Sequence, residues 1–250
     1  MTDKRCALLG YEIDLLSFEE ACSYAVEKIK AHKGLHIVTI NPEIIAAADK
    51  NKKLRDIIKA SELVIPESSG IIGALMFKGI KQEKIPGIDF AKELIKYCSE
   101  LNYSLALTGA EESVNEQAAE NLKKEFPALN IVYRRNGFFE NAEETAAEIK
   151  NSGAQLVLCA LGAPKQELFI DLCRKSGNNA VFIGIGGSFD VWAGKTERAP
   201  EIYRKLWLEW LYRTIKEPKR LKRIYKTLPM FLFRAIIDSM NTNKGNDNVS

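Results

Sequence analysis

Short, nearly continuous apolar segments recur along most of the chain, and helical patterns separate them. The segments are Leu35–Ile40, Leu63–Ile65, Ser104–Thr108, Asn130–Tyr133, Gln155–Leu161 and Ala180–Ile185. Strands that are buried on both faces of a parallel sheet have this continuous apolar character, whereas half-exposed strands alternate apolar and polar residues. The pattern therefore predicts strands of a mostly parallel sheet.

The segments between these strands carry start and stop signals of helices. Ser17 and Glu20 have the spacing of a capping box, and Asn141 begins a second pattern of this kind. A further helix is predicted from Glu112 onward, with Pro127 as its stop. Alternating strands and helices predict an α/β fold, with a mostly parallel, Rossmann-like sheet flanked by helices and right-handed crossovers.

The strand pattern ends near Pro200, where a basic, aromatic and helical pattern begins. We therefore predict an α/β body at residues 1–199 and a basic helical appendage at residues 200–240. The polar residues 241–250 are expected to form a disordered tail.

One face of the appendage is apolar, and basic residues lie on its other faces. The apolar positions are Leu221, Ile224, Leu228 and Leu232. A helix with an apolar face and a basic face is typical of segments that lie at a membrane surface. Packing of the same apolar face on the α/β body is the alternative interpretation.

The charge of the chain is distributed unevenly. Between Arg204 and Arg234, ten basic residues stand against Glu209 and Glu217, which gives this segment a charge of +8. Because the net charge of the chain is +3, the remainder carries −5. An acidic body with a basic C-terminal segment predicts an anionic partner for that segment.

Several classes of protein and site are disfavoured. The five cysteines include no C-x-x-C pair, which predicts reduced and mostly buried thiols. His32 and His36 lack partners at zinc-ligand spacing. No signal peptide is predicted, and the longest uncharged stretch, Ser176–Phe189, has 14 residues. A membrane-spanning helix needs about 18 or more apolar residues, so none is expected.

Small and polar residues follow most of the predicted strands. The turns are Thr39–Glu43, Pro66–Gly70, Thr108–Ala110, Gly162–Glu167 and Gly184–Asp190. Ligands of parallel α/β proteins bind beyond the carboxyl ends of the strands, and glycine turns let backbone N–H groups approach a phosphate. One such turn is an ordinary βα connection, but several together favour a nucleotide-type ligand. The G-x-G-x-x-G dinucleotide fingerprint is absent.

Three longer motifs identify a family. They are Ala160–Glu167 (ALGAPKQE), Gly186–Asp190 (GGSFD) with Arg198–Pro200, and Leu208–Arg213 (LEWLYR) with Glu217–Arg220. With these motifs in this order, the chain resembles the WecG/TagA/CpsF family (glycosyltransferase family 26) from about Leu35 to Arg223. These bacterial hexosyltransferases extend lipid-linked precursors of wall and surface polysaccharides, so the resemblance implies the same class of reaction.

The resemblance also implies site residues. The family usually has Pro-Asp-Gly after the second strand, with the aspartate as catalytic base, whereas this chain has Glu67 in that turn, one methylene longer. Glu67, Thr39, Arg220 and Arg223 are the catalytic candidates. The substrate-binding candidates are Asn41, Lys84, Gly109, Gly162, Lys165, Gln166, Glu167, Gly186, Gly187, Asp190, Arg198 and Arg213.

Each of these roles has a plainer alternative. Glu67 can be an ordinary acidic residue of a first helical turn, and the arginines can form the solvated face of a basic helix. Glu167 can be the structural partner of a lysine or arginine. Lys84 stands where the family often has arginine; it keeps the charge but loses the bidentate geometry toward a diphosphate.

The reaction expected from the resemblance is an inverting transfer from a UDP-sugar to an undecaprenyl-diphosphate-linked GlcNAc. N-acetylmannosamine fits the wall teichoic acid branch, but its uronic acid, glucose or another hexose stays open. No Asp-x-Asp triplet is present, so arginines are expected to replace a metal, and no cofactor is expected. The expected location is cytoplasmic, peripheral on the inner face of the bacterial cell membrane, and a homo-oligomer is left open.

Two other functions are disfavoured by the sequence. An NAD(P)-dependent oxidoreductase would need an early glycine fingerprint and a hydride-transfer acid, and neither is found. A nucleic-acid-binding protein would use the basic C-terminal segment, but the acidic balance of the body and its strand-end turns argue against that partner.

Overall fold

The computed structural model of the chain describes residues 4–206, 208–216 and 227–240. The strands are β1 (Arg5–Leu8), β2 (Tyr11–Asp14), β3 (Leu35–Ile40), β4 (Leu63–Pro66), β5 (Ser104–Gly109), β6 (Asn130–Arg135), β7 (Leu156–Ala160) and β8 (Val181–Gly184). The helices are α1 (Phe18–Lys30), α2 (Pro42–Lys50), α3 (Lys52–Ala60), α4 (Ser69–Phe77), α5 (Gly87–Glu100), α6 (Glu112–Glu125), α7 (Ala142–Asn151), α8 (Lys165–Lys175), α9 (Ser188–Trp192), α10 (Glu201–Lys205), α11 (Glu209–Lys216) and α12 (residues 227–240).

The predicted parallel sheet is confirmed. Six strands lie in the order β4-β3-β8-β7-β5-β6, and every neighbouring pair is parallel. All residues of β3, β4, β7 and β8 are buried, which explains their continuous apolar sequences. Helices α1, α5, α6 and α9 pack on one face of the sheet. Helices α2, α3, α4, α7, α8 and α12 pack on the other.

A hairpin that the sequence pattern did not predict precedes the sheet. Strands β1 and β2 pair antiparallel, and Arg5 forms an ion pair with the fully buried Asp14 at 2.8 Å. The Asp14 carboxylate also accepts a hydrogen bond of 2.7 Å from the backbone N–H of Val64 in β4. The hairpin thus lies against the outer strand of the sheet, where an exposed edge would otherwise offer unpaired backbone groups.

The predicted helix starts are confirmed. Ser17 accepts a bond of 3.1 Å from the amide of Glu20, and Glu20 accepts one of 2.7 Å from the amide of Ser17. The Asn141 side chain accepts a bond of 3.0 Å from the amide of Glu144. These caps satisfy backbone donors that the first turn leaves without intrahelical partners.

Helix α12 packs against the body through part of its apolar surface. Phe231 and Ala235 are buried in the same core as β3, β4, α2 and α4. Lys78, at the end of α4, forms an ion pair of 2.8 Å with Asp238, and Arg234 pairs with Asp49. Helix α12 is therefore anchored by buried contacts and by ion pairs.

The predicted apolar face of the appendage is only partly described. Leu232 packs on the core, and Leu228 approaches Gly70, where an added Cβ would lie 3.3 Å from the Leu228 Cδ1. For these two residues, the alternative of packing on the body is confirmed. Leu221 and Ile224 lie outside the described residues, as does the tail 241–250. The domain boundary near Pro200 stays a prediction.

All five cysteines are free thiols, and four of them are buried, as predicted. Within residues 4–206, 208–216 and 227–240, no helix is long and apolar enough to cross a membrane.

Candidate active site

The carboxyl ends of four neighbouring strands bring the central site residues together. Thr39 is near the end of β3, and Glu67 directly follows β4. The segment after β8 contains Gly186, and α8, which follows β7, begins with Lys165 and Gln166. Because these strands are parallel and adjacent, residues far apart in sequence meet at one edge of the sheet.

Glu67 is held on two sides. Its backbone N–H donates to the carbonyl of Ile40 at 3.1 Å, and its Oε2 accepts a hydrogen bond of 2.9 Å from Asn41 Nδ2. The Oδ1 of Asn41 accepts from the amide of Ile44 at 3.0 Å and so caps α2. Because this backbone donor fixes which side of the Asn41 amide is the oxygen, the nitrogen must face Glu67. The carboxylate therefore has a defined position beside Asn41.

Gly87 packs directly against this carboxylate. A Cβ added at Gly87 would lie 3.0 Å from Thr39 Cγ2 and 3.1 Å from Glu67 Oε1. Thr39 is buried, and its hydroxyl donates to the carbonyl of Gly184 at 3.3 Å. The structure thus places Thr39, Asn41 and Glu67 in one cluster, as their assignment to one site requires.

Gln166 connects two segments of the site. Its Oε1 accepts a hydrogen bond of 3.0 Å from the backbone N–H of Gly186, and its Nε2 donates to Glu167 Oε1 at 2.8 Å. A Cβ added at Gly184 would overlap this amide, 2.7 Å from Gln166 Cδ. The buried amide is therefore a bridge between β8 and the first turn of α8.

Glu167 lies in an unusual position for a carboxyl group. It is 2% exposed, and its Oε2 has no hydrogen-bond partner. Burial raises its pKa above the ordinary value; the Gln166 hydrogen bond acts in the opposite direction, and the negative charge of Glu67 adds to the increase. No ion pair of Glu167 occurs in the described part of the chain, so the lysine or arginine partner considered from the sequence is not found there.

The glycine turns have the backbone conformations that such turns need. Gly162 and Gly186 have φ values of 74° and 47°. Gly109 has a φ of 120°, and a Cβ added there would overlap the Ala160 carbonyl, 2.8 Å from the Ala160 Cα. Glycine reaches these conformations at little cost, which explains why these turns carry glycine.

Two predicted substrate contacts have protein partners. The Lys84 ammonium lies 3.8 Å from Glu209 Oε2, with both side chains largely buried. Arg198 pairs with Asp89 in the first turn of α5. Lys84 connects the segment before Gly87 with α11, so this helix lies beside the site.

For two further substrate-binding candidates, Asp190 and Lys165, the structure gives a position but no evidence of a role. Asp190 is in the first turn of α9, 3.9 Å from the Lys195 ammonium and close to Gly187. Lys165 is exposed at the start of α8. Their roles in substrate binding stay predictions.

The three predicted arginines of the appendage have no described side chains. Arg213 belongs to α11, but its side chain is outside the described structure. Arg220 and Arg223 lie outside the described residues altogether. Among the residues that are described, no group of three or more His, Cys, Asp or Glu side chains has the arrangement of a metal site.

The structure adds three residues to the site that sequence reasoning did not assign. Gly87 lies against the carboxylate of Glu67, and Gly184 lies against the amide of Gln166. A larger side chain at either position would collide with that group. Gly87 lies in the segment Pro86–Asp89, which resembles the family, and this resemblance was a usable signal. Glu209 pairs with Lys84, and nothing in the local sequence indicates a contact between positions so far apart.

Comparisons with known proteins identify the family of the chain. The model of the glycosyl transferase WecG/TagA/CpsF family matches residues 6–245. Two similar proteins are named N-acetylglucosaminyldiphosphoundecaprenol N-acetyl-beta-D-mannosaminyltransferase. The one from Bacillus spizizenii is 33% identical over 195 residues, covering 77% of this chain and 76% of the relative. The one from Bacillus subtilis is 32% identical over 209 residues, covering 83% and 81%. The chain therefore belongs to the WecG/TagA/CpsF family and is a glycosyltransferase.

Proposed function

We propose that the chain transfers N-acetylmannosamine from a UDP-sugar, with inversion, to GlcNAc linked to undecaprenyl diphosphate, in wall teichoic acid or surface polysaccharide synthesis. The names of the two Bacillus relatives support the sugar and the acceptor. The observation that carries the chemistry is the Glu67 carboxylate, which Asn41 holds at the carboxyl ends of the strands.

In the proposed reaction Glu67 is the general base. Its carboxylate takes the proton from an acceptor hydroxyl, and the hydroxyl oxygen forms a bond to C1 of the donor sugar. The bond between C1 and the diphosphate oxygen breaks, and UDP leaves with the electron pair. Inversion follows from attack on the face opposite the leaving group. Positioning of both sugars and proton removal each lower the barrier.

The leaving diphosphate needs positive charge or hydrogen-bond donors. Gly109, Gly162 and Gly186 supply backbone turns at the strand ends. Arg213, Arg220 and Arg223 are proposed to supply guanidinium groups, which bind phosphate oxygens in a bidentate manner. The ion pair of Lys84 with Glu209 connects the segment before Gly87 with α11, the helix that contains Arg213, and this supports a role for Arg213 near the site.

A donor screen tests the proposal. The purified protein is incubated with a short-chain GlcNAc-diphosphoprenyl acceptor and separate UDP-sugars, and the products are identified by mass spectrometry. We expect an added N-acetylhexosamine with the UDP derivative of N-acetylmannosamine and little product with UDP-glucose or the uronic acid donor. Preferred transfer of another sugar overturns the assignment of the donor, and no transfer to the lipid-linked acceptor overturns that of the acceptor.

Transfer is expected to persist in EDTA, because the proposed arginines neutralise the leaving diphosphate without a metal. The measurement compares initial rates after dialysis against EDTA with rates after addition of Mg²⁺ or Mn²⁺. Loss of transfer in EDTA and its recovery with either ion would contradict the prediction.

Arg220→Ala or Arg223→Ala is expected to reduce transfer at least tenfold, because a guanidinium that holds the leaving diphosphate stabilises charge in the transition state. Binding to anionic liposomes should decrease at most about fivefold, since one basic residue contributes about 1 kcal/mol there. Lys205→Ala is the matched control, because Lys205 is exposed on α10 and paired with Glu201. A loss of transfer only in proportion to liposome binding would mean that these arginines serve attachment alone.

We also propose that the enzyme works on an anionic membrane surface, where a lipid-linked acceptor resides. Helix α12 carries apolar side chains on the side that does not pack on the body. They are Met230, Phe233, Ile236, Ile237 and Met240, each between 41% and 62% exposed. Four of them have the spacing of a continuous helical stripe. Met76 and Phe77 at the end of α4 are also exposed, and the pair of Lys78 with Asp238 places them near this stripe.

Phe233→Ser combined with Met230→Ser is expected to weaken binding to anionic liposomes at least tenfold, because two apolar side chains no longer enter the interface. Both side chains are about 60% exposed, so the free energy of unfolding should change little. Leu101→Ser, at an exposed apolar residue at the end of α5, is the control. Unchanged liposome binding in the double variant would show that this stripe is not the attachment surface.

A further inference from the structure

Phe138 is an exposed aromatic side chain at the carboxyl edge of the sheet. It lies three residues after the end of β6 and is 75% exposed. Among the large apolar side chains in the described part of the chain, it is the most exposed. Single exposed apolar residues are common on protein surfaces, so exposure alone does not indicate a binding site. A binding role depends on how Phe138 is held and on what lies beside it.

The residues before Phe138 are fixed by hydrogen bonds. The Gly137 N–H donates to the carbonyl of Ala110 at 2.8 Å. The Asn136 side chain accepts a bond of 2.9 Å from the Phe138 N–H and donates one of 2.7 Å to Glu112 in α6. The backbone that leads into Phe138 is therefore tied both to the turn after β5 and to the first turn of α6.

The residue after Phe138 is fixed by packing. The rings of Phe139 and Phe169 have centroids 5.0 Å apart, and Phe169 is buried in α8. Phe138 thus has an anchored residue on each side. A ring on such a backbone loses little conformational freedom when a ligand covers it, so most of the contact free energy is available for binding.

The loop that carries Phe138 lies against two turns of the proposed donor site. A Cβ added at Gly137 would lie 3.3 Å from the Gly109 Cα and 3.0 Å from Leu161 Cδ2. Gly109 ends β5, and Leu161 lies between β7 and Gly162. Phe138 therefore directly follows a residue that contacts both glycine turns.

The strand order arranges these features as the parts of a nucleotide sugar are arranged. Along the sheet edge, from β4 through β8, β7 and β5 to β6, the order is Glu67, Gly186, Gly162, Gly109 and Phe138. In the donor, the reacting C1, the diphosphate and the base follow one another in the same way. The outer strands β4 and β6 are about 24 Å apart at the usual strand spacing, a span that the two side chains, the acceptor hydroxyl and an extended donor fill together.

We propose that Phe138 stacks on the uracil base of the donor. This inference rests on the proposed function, because it takes a UDP-sugar as the donor. Aromatic side chains and nucleobases stack face to face, and such a contact contributes measurably to the affinity of nucleic-acid-binding proteins. Phe138 binds the part of the donor that is farthest from the reacting bond, and it makes a nucleotide-linked sugar a better ligand than a sugar phosphate.

Calorimetric titration of the full chain with UDP tests the contact. Phe138→Ala should weaken UDP binding about tenfold, the effect of losing one contact between a ring and a base. Phe138→Trp keeps a ring face and should bind UDP at least as tightly as the unaltered protein. Phe138→Leu keeps an apolar side chain without a ring face and should lose about fivefold or more. Because the ring is largely exposed, thermal unfolding should be unchanged in all three variants.

Two controls separate stacking from other effects. Inorganic diphosphate has no base and should bind Phe138→Ala and the unaltered protein equally. Leu101→Ala alters an exposed apolar residue just before β5, at the opposite edge of the sheet, and should leave UDP binding unchanged. An equal loss of affinity for UDP and for diphosphate in Phe138→Ala would overturn the inference, since the variant would then disturb the neighbouring turns.

The outcomes also distinguish this inference from the proposed donor. Tight UDP binding by the unaltered protein and equally tight binding by Phe138→Ala would overturn the stacking contact and leave the donor in place. Absence of UDP binding by the unaltered protein would overturn the donor, and the stacking contact with it.

Saturation-transfer NMR provides the second measurement. In the unaltered protein, saturation should pass from the protein to the ring protons of uracil more strongly than to the ribose protons. This preference should be lost in Phe138→Ala and kept in Phe138→Trp. An unchanged preference in Phe138→Ala would show that another side chain covers the base, and that result would contradict the proposal.

Discussion

Glu67→Gln is expected to reduce the rate of sugar transfer about 10²–10⁴-fold, the range that a well-placed general base contributes. The amide keeps the shape of the side chain and an oxygen that can accept the hydrogen bond from Asn41 Nδ2. It cannot accept the proton of the acceptor hydroxyl. The measurement is kcat at saturating donor and acceptor, with thermal unfolding as a check that the variant is folded.

The control for this variant is Glu12→Gln, the same chemical change at an exposed position of the β1–β2 hairpin. It should leave kcat within about twofold of the unaltered enzyme, because surface changes away from structural features have small effects. If Glu67→Gln keeps more than about a third of the transfer rate while folded, Glu67 is not the base. Its carboxylate would then be a structural partner of Asn41.

The sheet was predictable because its central strands are buried on both faces. Their apolar segments stand out from the amphipathic helices beside them, and the strand bounds agree within a few residues. The β1–β2 hairpin was not predictable for the opposite reason. It ends at Asp14, a fully buried carboxylate that contacts Arg5 and the backbone of Val64. From the sequence alone, an aspartate at this position is predicted to be exposed.

The central part of the site followed from strand order along the chain. Residues directly after parallel strands meet at one edge, so Thr39, Asn41, Glu67 and Gln166 could be expected together without knowledge of their contacts. Ion pairs between distant segments could not be foreseen. Arg198 and Asp89 are 109 positions apart, and only the packing of α5 shows that this guanidinium has a carboxylate partner.

The appendage shows a further limit of sequence patterns. Helical periodicity identifies an apolar face but not the surface that this face contacts. In α12, Leu228 and Leu232 face the body, while Met230 and Phe233 are exposed. The helix is therefore apolar on more than one side, and the side away from the body is the one available to a membrane.

Gly109→Ala is expected to lower the free energy of unfolding by about 2–6 kcal/mol. Gly109 ends β5 with a φ of 120°, a conformation that costs other residues about 1–3 kcal/mol. The new methyl group would also overlap the Ala160 carbonyl in the neighbouring strand β7. Forced overpacking adds about 1–3 kcal/mol, and backbone atoms of a central strand cannot move aside as a side chain does. The measurement is urea unfolding followed by circular dichroism.

Gly73→Ala is the matched control, since it makes the same chemical change inside α4 at a position where an added Cβ has no atom within 4 Å. It should raise the free energy of unfolding by about 0.4–1 kcal/mol, because alanine restricts the unfolded chain more than glycine does. If the free energy of unfolding falls in Gly109→Ala and rises in Gly73→Ala, the loss is specific to the tight turn after β5. It is then not a general effect of replacing glycine. A change of less than about 0.5 kcal/mol in Gly109→Ala would mean that β5 and β7 can separate at this turn. A turn that separates so easily would not hold backbone N–H groups in fixed positions for a diphosphate.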